Sequence, residues 1–194
     1  MKGKYQREKH YQYEKHYQRR RIQVMSVRHA VVDTVLGEVT LVASGDAVSG
    51  LYFSQHSYRP AMSSLGQEVD PGSDSTLARA TIQLNEYFDG ERTHFDLKTV
   101  TAGNPFQERV WALLNQIPRG ATTTYGELAE QLGDKSMAQS VGQAVGHNPI
   151  SIVVPCHRVV GKGGKLTGYA GGLKRKQFLL ELEEPVAVSS AKLF

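Results

Sequence analysis

Between residues 26 and 53 short apolar runs alternate with glycine turns. Residues 30–35, 38–42 and 50–53, broken at Gly37 and at Gly45-Asp46, predict three strands. Residues 54–74 are rich in Ser, Gly and Pro and read as a long loop. Leu77, Thr81, Leu84 and Phe88 then recur at helical spacing, and Gly90 supplies a stop. Beyond a linker at 100–104 the period stays helical. Asn104 is placed to cap, Pro105 suits the first helical position, and Phe106, Val110, Leu113, Leu114 and Ile117 make one apolar stripe that Pro118 ends. Trp111 on this helix reads as a packing residue.

Thr124-Tyr125-Gly126-Glu127 has the capping-box pattern, with Leu128 and Leu132 inward and Gly133 as the stop. Ser136-Met137-Ala138-Gln139 repeats that pattern and predicts a second helix with Val141 and Val145 inward. Helix, glycine-containing turn, helix is the pattern of a helix-turn-helix, though unrelated helical hairpins share it. Ala138, Ser140, Gly142 and Ala144 make the second helix small-sided, which suits close approach to a groove and equally suits ordinary packing. Residues 150–154 read as a short buried strand that Pro155 must end or bend. Gly161-Lys162-Gly163-Gly164-Lys165 reads as the basic turn of a hairpin, and a last helix is predicted over 174–184 with Phe178, Leu179 and Leu182 for the core. Residues 185–194 read as a loose terminus.

Composition narrows the class. A chain of 194 residues suits one domain or two small ones. The single cysteine excludes an intramolecular disulfide and fits a reducing compartment. No apolar run reaches membrane-spanning length and the N-terminus has no signal-peptide core, so the expectation is a soluble, intracellular protein with no membrane partner. It would be cytoplasmic and nucleoid-associated, or nuclear in a eukaryote. The seven histidines show no paired ligand spacing, so no metal and no cofactor are expected. His56 and His94 read as surface or packing residues, and the N-terminal half shows no convergent catalytic cluster.

The net charge of +4 is unevenly placed. Residues 1–24 hold eight Lys/Arg and two acids; set against 23 and 19 in the whole chain, they leave 15 basic and 17 acidic residues for 25–194. The body is therefore not broadly basic, and any nucleic-acid contact there must come from a local patch. The tail repeats itself: Tyr5-Gln6-Arg7-Glu8-Lys9-His10, Tyr11-Gln12-Tyr13-Glu14-Lys15-His16, then Tyr17-Gln18-Arg19. Few apolar residues are available to bury, so it reads as a disordered or weakly helical basic segment. Tyrosines among cations suit phosphate contact and base stacking; an incidental extension upstream of the domain is the competing reading.

Cys156 sits between Pro155 and His157, with Arg158 next. A lone cysteine is commonly an inert buried thiol. Here adjacent positive charge predicts a lowered thiol pKa, and spacing alone leaves the two readings balanced. In a continued strand Cys156 and His157 would face opposite ways, so a cooperating pair needs a turn at Pro155 or a bridging water.

Several motifs occur around it in order: Asn148-Pro149, Pro155-Cys156-His157-Arg158-Val159, Gly168-Tyr169-Ala170-Gly171-Gly172, and Lys176 through Leu179-Leu180-Glu181-Leu182-Glu183. Together they resemble the active-site signature of the O6-alkylguanine-DNA alkyltransferases, also called methylated-DNA–protein-cysteine methyltransferases. The resemblance runs from about residue 25 to 184 and is densest from Phe106 onward. It implies an α+β chain with, after the basic tail at 1–24 that the composition shows, a small ribonuclease H-like α/β domain at 25–99 and a mainly helical domain at 105–184 carrying the helix-turn-helix.

The resemblance also implies a function. The partner would be alkylated double-stranded DNA, bound through the minor groove by a monomer able to assemble cooperatively. The damaged base would flip out, and the O6-alkyl group of guanine, or the O4-alkyl group of thymine, would pass irreversibly to Cys156. His157 would act as base through a water, Glu183 would support it, Asn148 would organise the turn, and Tyr125 would assist flipping and proton donation. Tyr169, Val159, Ala170 and Gly171 would shape the pocket. Thr124, Tyr125, Ala138, Gln139, Ser140 and Gly142 would meet the DNA. Arg158 fits either a structural ion pair or a catalytic role. Two positions depart from the family pattern: Ala170 stands where some members have serine, and Gln139 where an intercalating arginine is usual. A DNA-binding lesion sensor and a cysteine hydrolase or redox sensor are the competing classes.

If the tail contacts phosphates, deleting residues 1–24 should leave the reaction intact and flatten the log–log salt dependence of DNA binding by about 0.9 per lost contact. An unchanged slope in binding titrations would mark the tail as incidental.

Overall fold

A computed structural model describes residues 27–184, so both the basic repeat of 1–24 and the terminus at 185–194 lie outside it. Strands β1 (Val27–Val32), β2 (Val39–Ser44) and β3 (Ala47–Phe53) form an antiparallel meander, and β4 (Gln67–Glu68) adds in parallel beside β1. The sheet order is β3-β2-β1-β4. β2 is buried along almost its whole length, as a strand flanked on both sides should be. β1 stops at Val32 instead of continuing to 35, because the Thr34 hydroxyl and carbonyl close a turn onto Gly37, whose φ is 90°.

Helix α1 (Ser75–Phe88) covers the sheet. Asp74 caps it by accepting from the Thr76 and Leu77 amides, and the same carboxylate pairs with Arg28 on β1. Leu77, Ala80, Leu84 and Tyr87 form its buried stripe, and Gly90 lies just past its end at φ 77°. His56 is a packing residue as expected, buried edge-on to Tyr52, and burial lowers its pKa to about 4.

The outer edge of β3 is covered by the rest of the chain, which prevents it from templating a foreign strand. The Val48 amide donates to Lys98 O at 2.8 Å, and the Leu51 amide donates to Pro149 O at 2.8 Å. The second contact joins the N-terminal sheet directly to the segment before the cysteine.

Helix α2 (Pro105–Leu114) begins at the expected Asn104 cap, completed by Gln107. Trp111 is buried and its indole N–H donates to Ala144 O at 2.8 Å. A short parallel pair joins β5 (Thr123–Thr124) to β6 (Val159–Val160). Helix α3 (Tyr125–Gln131) starts on the predicted Thr124–Glu127 capping box, and α4 (Ala138–Gly146) follows through Gly133 at φ 105°. Helix α5 (Leu173–Glu183) ends the described chain. One continuous core joins the sheet, α1, α2, α3, α4 and α5.

Besides the end of β1, the expected loop of 54–74 holds β4 and two 3-10 turns, and three further local expectations fail. Ser136 does not cap α4. Asp134 instead caps a 3-10 turn at Lys135–Met137 that leads into the helix, and Met137 at the helix start offers no side-chain acceptor. Residues 161–165 form a turn closed by Gly161 N–H to Lys165 O, but no hairpin, since β6 pairs in parallel with β5. Residues 150–154 are not a strand. The chain makes a tight loop there, with only isolated bridges at Ile150, Ser151 and Val154, and Ile152 lies at φ 71°. A β-branched residue in that region is strained, and apolar composition alone reads as extended chain.

Candidate active site

The loop owes its shape to Asn148. This buried side chain accepts from the Ile150 amide at 3.0 Å and donates to Val154 O at 2.8 Å, clamping both ends of the strained turn. The turn in the chain at Pro155 that the Cys156–His157 pair required is present, as a single 3-10 turn at Cys156–Arg158. It sends Cys156 toward a cavity, and the buried His157 and Arg158 toward Glu183 at the end of α5.

The cavity, about 270 Å³, is lined by Cys156, Tyr125 from α3, Gly142, Val145 and Gly146 from α4, and Gly168, Tyr169 and Ala170. Ser57 and Tyr58 close it from the N-terminal side, with Tyr58 stacked on His147 at 3.9 Å between ring centroids. Val159 and Gly171, expected to shape the pocket, do not line it. Val159 is fully buried and its carbonyl accepts from Lys176. Gly171 is packed so closely that an added Cβ would meet the Phe53 ring at 2.4 Å, so only glycine fits there.

Glu183 is 4 % exposed and draws donors from several elements. Its Oε1 accepts from Tyr87 Oη (2.7 Å), Arg158 Nη2 (2.7 Å) and His157 Nε2 (3.2 Å), and its Oε2 accepts from Arg158 Nε at 2.8 Å. Burial alone would raise this carboxyl's pKa, but hydrogen bonds from His157 and Arg158 outweigh it and hold the group well below the usual range. A carboxylate can only accept, so His157 carries its proton on Nε2 and presents the lone pair of Nδ1, a buried atom without a protein partner. Burial also lowers the His157 pKa against the opposing pull of Glu183, which keeps the ring neutral at rest.

The thiol does not match expectation. Burial raises the Cys156 pKa, and the neighbouring polar side chains of Asn148 and Ser151 with the charge of Lys176 offset this only in part. Arg158, one turn away in sequence, is committed to Glu183 and the Ile117 carbonyl and does not serve the sulfur. The resting pair is therefore a neutral thiol beside a neutral imidazole.

Lys176 is fully buried and donates to Val159 O (2.5 Å), Thr167 O (2.8 Å) and Gly168 O (3.1 Å), pinning the pocket loop to α5. Burial lowers its pKa to about 8. Tyr125 Oη donates to Thr167 O at 3.2 Å, and Tyr169 Oη is buried without a partner. Ala170 presents its carbonyl to the Ser57 amide. Of the residues expected to meet DNA, Gln139 and Ser140 are exposed at the start of α4, Ala138 is half-buried, Gly142 faces the Tyr125 ring, which an added Cβ would meet at 3.6 Å, and Thr124 caps α3.

Three contributors were missed in the sequence: Tyr87, Ser151 and the Ser57–Tyr58 pair. The N-terminal half carries no cluster of its own, but through Tyr87 it reaches the one around Glu183. The available signal was a tyrosine on an apolar helix stripe, whose hydroxyl must find a partner when buried. Among the described residues no cluster of side chains suits a metal ion.

Two family models divide the chain. The ribonuclease-like domain of 6-O-methylguanine DNA methyltransferase matches residues 27–101, and the DNA-binding domain of that family matches 105–185. The methylated-DNA–protein-cysteine methyltransferase of Mycobacterium tuberculosis is 45% identical over 168 residues, covering 87% of this chain and 99% of that protein. Its counterpart in Mycolicibacterium paratuberculosis is 46% identical over the same length and coverage. A crystal structure of the M. tuberculosis enzyme in complex with DNA aligns at a TM-score of 0.72 and 43% identity, over 84% of this chain and 98% of that one. The chain belongs to the 6-O-methylguanine DNA methyltransferase family.

Replacing Glu183 by Gln should destabilise the protein by about 3–5 kcal/mol at neutral pH, since Arg158 is left partly buried without its counter-charge. The folded carboxyl titrates below its unfolded value of about 4.3, so its contribution is complete above that value and fades as pH falls below it. Urea denaturation of both proteins at neutral and acid pH should show the gap narrowing in acid; a constant gap would assign the loss to packing.

Proposed function

We propose that this protein repairs alkylated DNA by moving the O6-alkyl group of guanine onto Cys156, once per molecule. The observation that carries this reading is the lone thiol facing a base-sized cavity, with a Glu183-supported imidazole next to it in the chain. A cavity just under the usual range for small-molecule sites suits a single nucleobase.

His157 Nδ1, through a water, takes the thiol proton as the sulfur attacks. The S–C bond forms on the side of the alkyl carbon away from oxygen, the C–O6 bond breaks, and its electron pair leaves with guanine. Tyr125 returns a proton to the guanine, and the imidazolium resupplies the equivalent. Glu183 stabilises the imidazolium formed on the way. A raised resting pKa keeps the thiol protected until a substrate fills the cavity. The thioether has no readily hydrolysed bond, so no turnover follows. O4-alkylthymine presents the same alkyl–oxygen bond on a smaller ring and is a second substrate.

Chemistry on a stacked base requires its extrusion. Helix α4 both walls the cavity through Gly142, Val145 and Gly146 and presents Gln139 and Ser140 outward, which favours a base entering beside it from the minor groove. The protein acts as a monomer, assembles cooperatively along DNA, and works in the cytoplasm on the nucleoid, or in a nucleus.

Intact mass after incubation with an oligonucleotide containing O6-methylguanine should show one methyl adduct per chain, absent in Cys156→Ser. DNA binding without an adduct would leave a sensor, and ester or peptide turnover a hydrolase.

Gln139 is shorter than arginine and uncharged, so it offers less stacking in the gap left by the flipped base and no attraction to phosphates. Gln139→Arg should tighten duplex binding, steepen its log–log salt slope by about 0.9 if a phosphate is engaged, and speed repair within a duplex. Transfer from free O6-benzylguanine, which needs no flipping, should hardly change. Equal acceleration of both would place residue 139 in the pocket chemistry and overturn the intercalation argument.

A further inference from the structure

We propose that Tyr87, on α1 of the N-terminal sheet domain, is a positioning residue for alkyl transfer: its hydroxyl fixes the Glu183 oxygen that holds His157. The inference rests on the function proposed above and extends the reacting cluster into the other half of the chain.

Oε1 of Glu183 has three donors, and the imidazole's is the longest. Tyr87 Oη and Arg158 Nη2 each lie at 2.7 Å, whereas His157 Nε2 lies at 3.2 Å. The two shorter bonds therefore decide where the oxygen sits, and His157 orients to it. Tyr87 has little freedom to adjust. It is 1 % exposed, its ring packs against Phe95 at 5.1 Å and Phe88 at 5.8 Å, and the Arg119 guanidinium lies 5.7 Å from the ring centroid. Arg119 is itself held by the Arg92 and Leu182 carbonyls. A hydroxyl held this firmly gives the carboxylate one geometry.

The charged and titratable groups around the cluster come from every element packed on it: Tyr87 from α1, Arg119 after α2, Cys156, His157 and Arg158 from the active-site turn, and Lys176 and Glu183 from α5. Among them Tyr87 is the only neutral donor to Glu183 from the N-terminal half. It stabilises the ionised carboxylate and, by sharing Oε1, limits the pull of that oxygen on the imidazole proton.

Loss of the hydroxyl acts on both neighbours in one direction. Glu183 loses a donor and becomes easier to protonate, while His157 faces a less engaged oxygen and becomes easier to protonate on Nδ1. Transfer needs the carboxylate ionised and Nδ1 free, so both changes move the acid limb of the rate toward higher pH. A loss of packing alone would not move it.

The test compares wild type, Tyr87→Phe and Leu84→Val in the full chain. Leu84 lies buried on the same helix and its aliphatic side chain donates nothing to Glu183, so its variant loosens α1 while keeping every hydrogen bond to that carboxylate. Single-turnover transfer from free O6-benzylguanine is followed by intact mass across the acid and neutral range. The expected result for Tyr87→Phe is an acid limb displaced upward by about half a unit to one unit, with transfer about three- to tenfold slower on that limb. Leu84→Val should lose stability and keep the wild-type limb. Coincident limbs for wild type and Tyr87→Phe would overturn the proposal, as would an equal displacement in Leu84→Val. Carboxamidomethylation of Cys156 by iodoacetamide over the same range reads the thiol without an alkylguanine. If wild type forms no benzyl adduct, the proposed function fails, and the carboxamidomethylation profiles still decide whether Tyr87 acts on the cysteine.

Discussion

A carboxylate buried in the core is the constraint around which the rest of this structure is arranged. Taking Glu183 out of water costs several kcal/mol unless donors replace the lost hydration. They arrive from three separate parts of the chain: Tyr87 from α1, His157 and Arg158 from the active-site turn, and the Gly120 amide, at 3.5 Å, from the segment after α2. Each must be in place before the others are satisfied. The end of α5, the turn and the N-terminal domain are thereby held in one relative arrangement, and the imidazole bonded to the carboxylate inherits that precision.

The second constraint is the loop at 148–154. Ile152 at φ 71° is unfavourable by itself, and the loop persists because Asn148 clamps it and β3 pairs with it on either side of Ile150. The loop redirects the chain so that the thiol enters the cavity while the next two side chains turn to Glu183, a divergence that a continuing strand cannot produce.

These two constraints also explain what the sequence disclosed. The first three strands, the Asn104 and Thr124 caps and the stop at Gly90 follow from local period and local hydrogen bonding, so they were legible, whereas the two-residue strands β4, β5 and β6 carry no such period. The positions of Cys156, His157, Asn148 and Glu183 were visible through resemblance, not through period. The loop at 150–154 was misread because its residues prefer extended chain, and only the adjoining Asn148 clamp and the distant Leu51 overrule them. The thiol's pKa was misjudged for a related reason. Proximity in sequence placed Arg158 beside the sulfur, whereas the 3-10 turn carries it away and leaves burial dominant.

Helix α5 shows why hydropathy reaches its limit at such a site. Its buried face consists of Lys176, Leu179 and Glu183, two charges and one leucine at helical spacing. Read by polarity, that stripe belongs to solvent and the helix has no inner face. In the structure each charge has its own set of partners, three carbonyls for the ammonium and five hydrogen-bonding groups for the carboxylate. The lysine holds the loop that carries Tyr169 and Ala170; the glutamate holds the His157 ring. A helix packed by leucines alone would bury more apolar area and leave the loop and the imidazole free to move. Placing two charges seven residues apart on one rigid helix fixes the wall of the cavity and the His157 imidazole to the same body, so the distance between them is set by the helix.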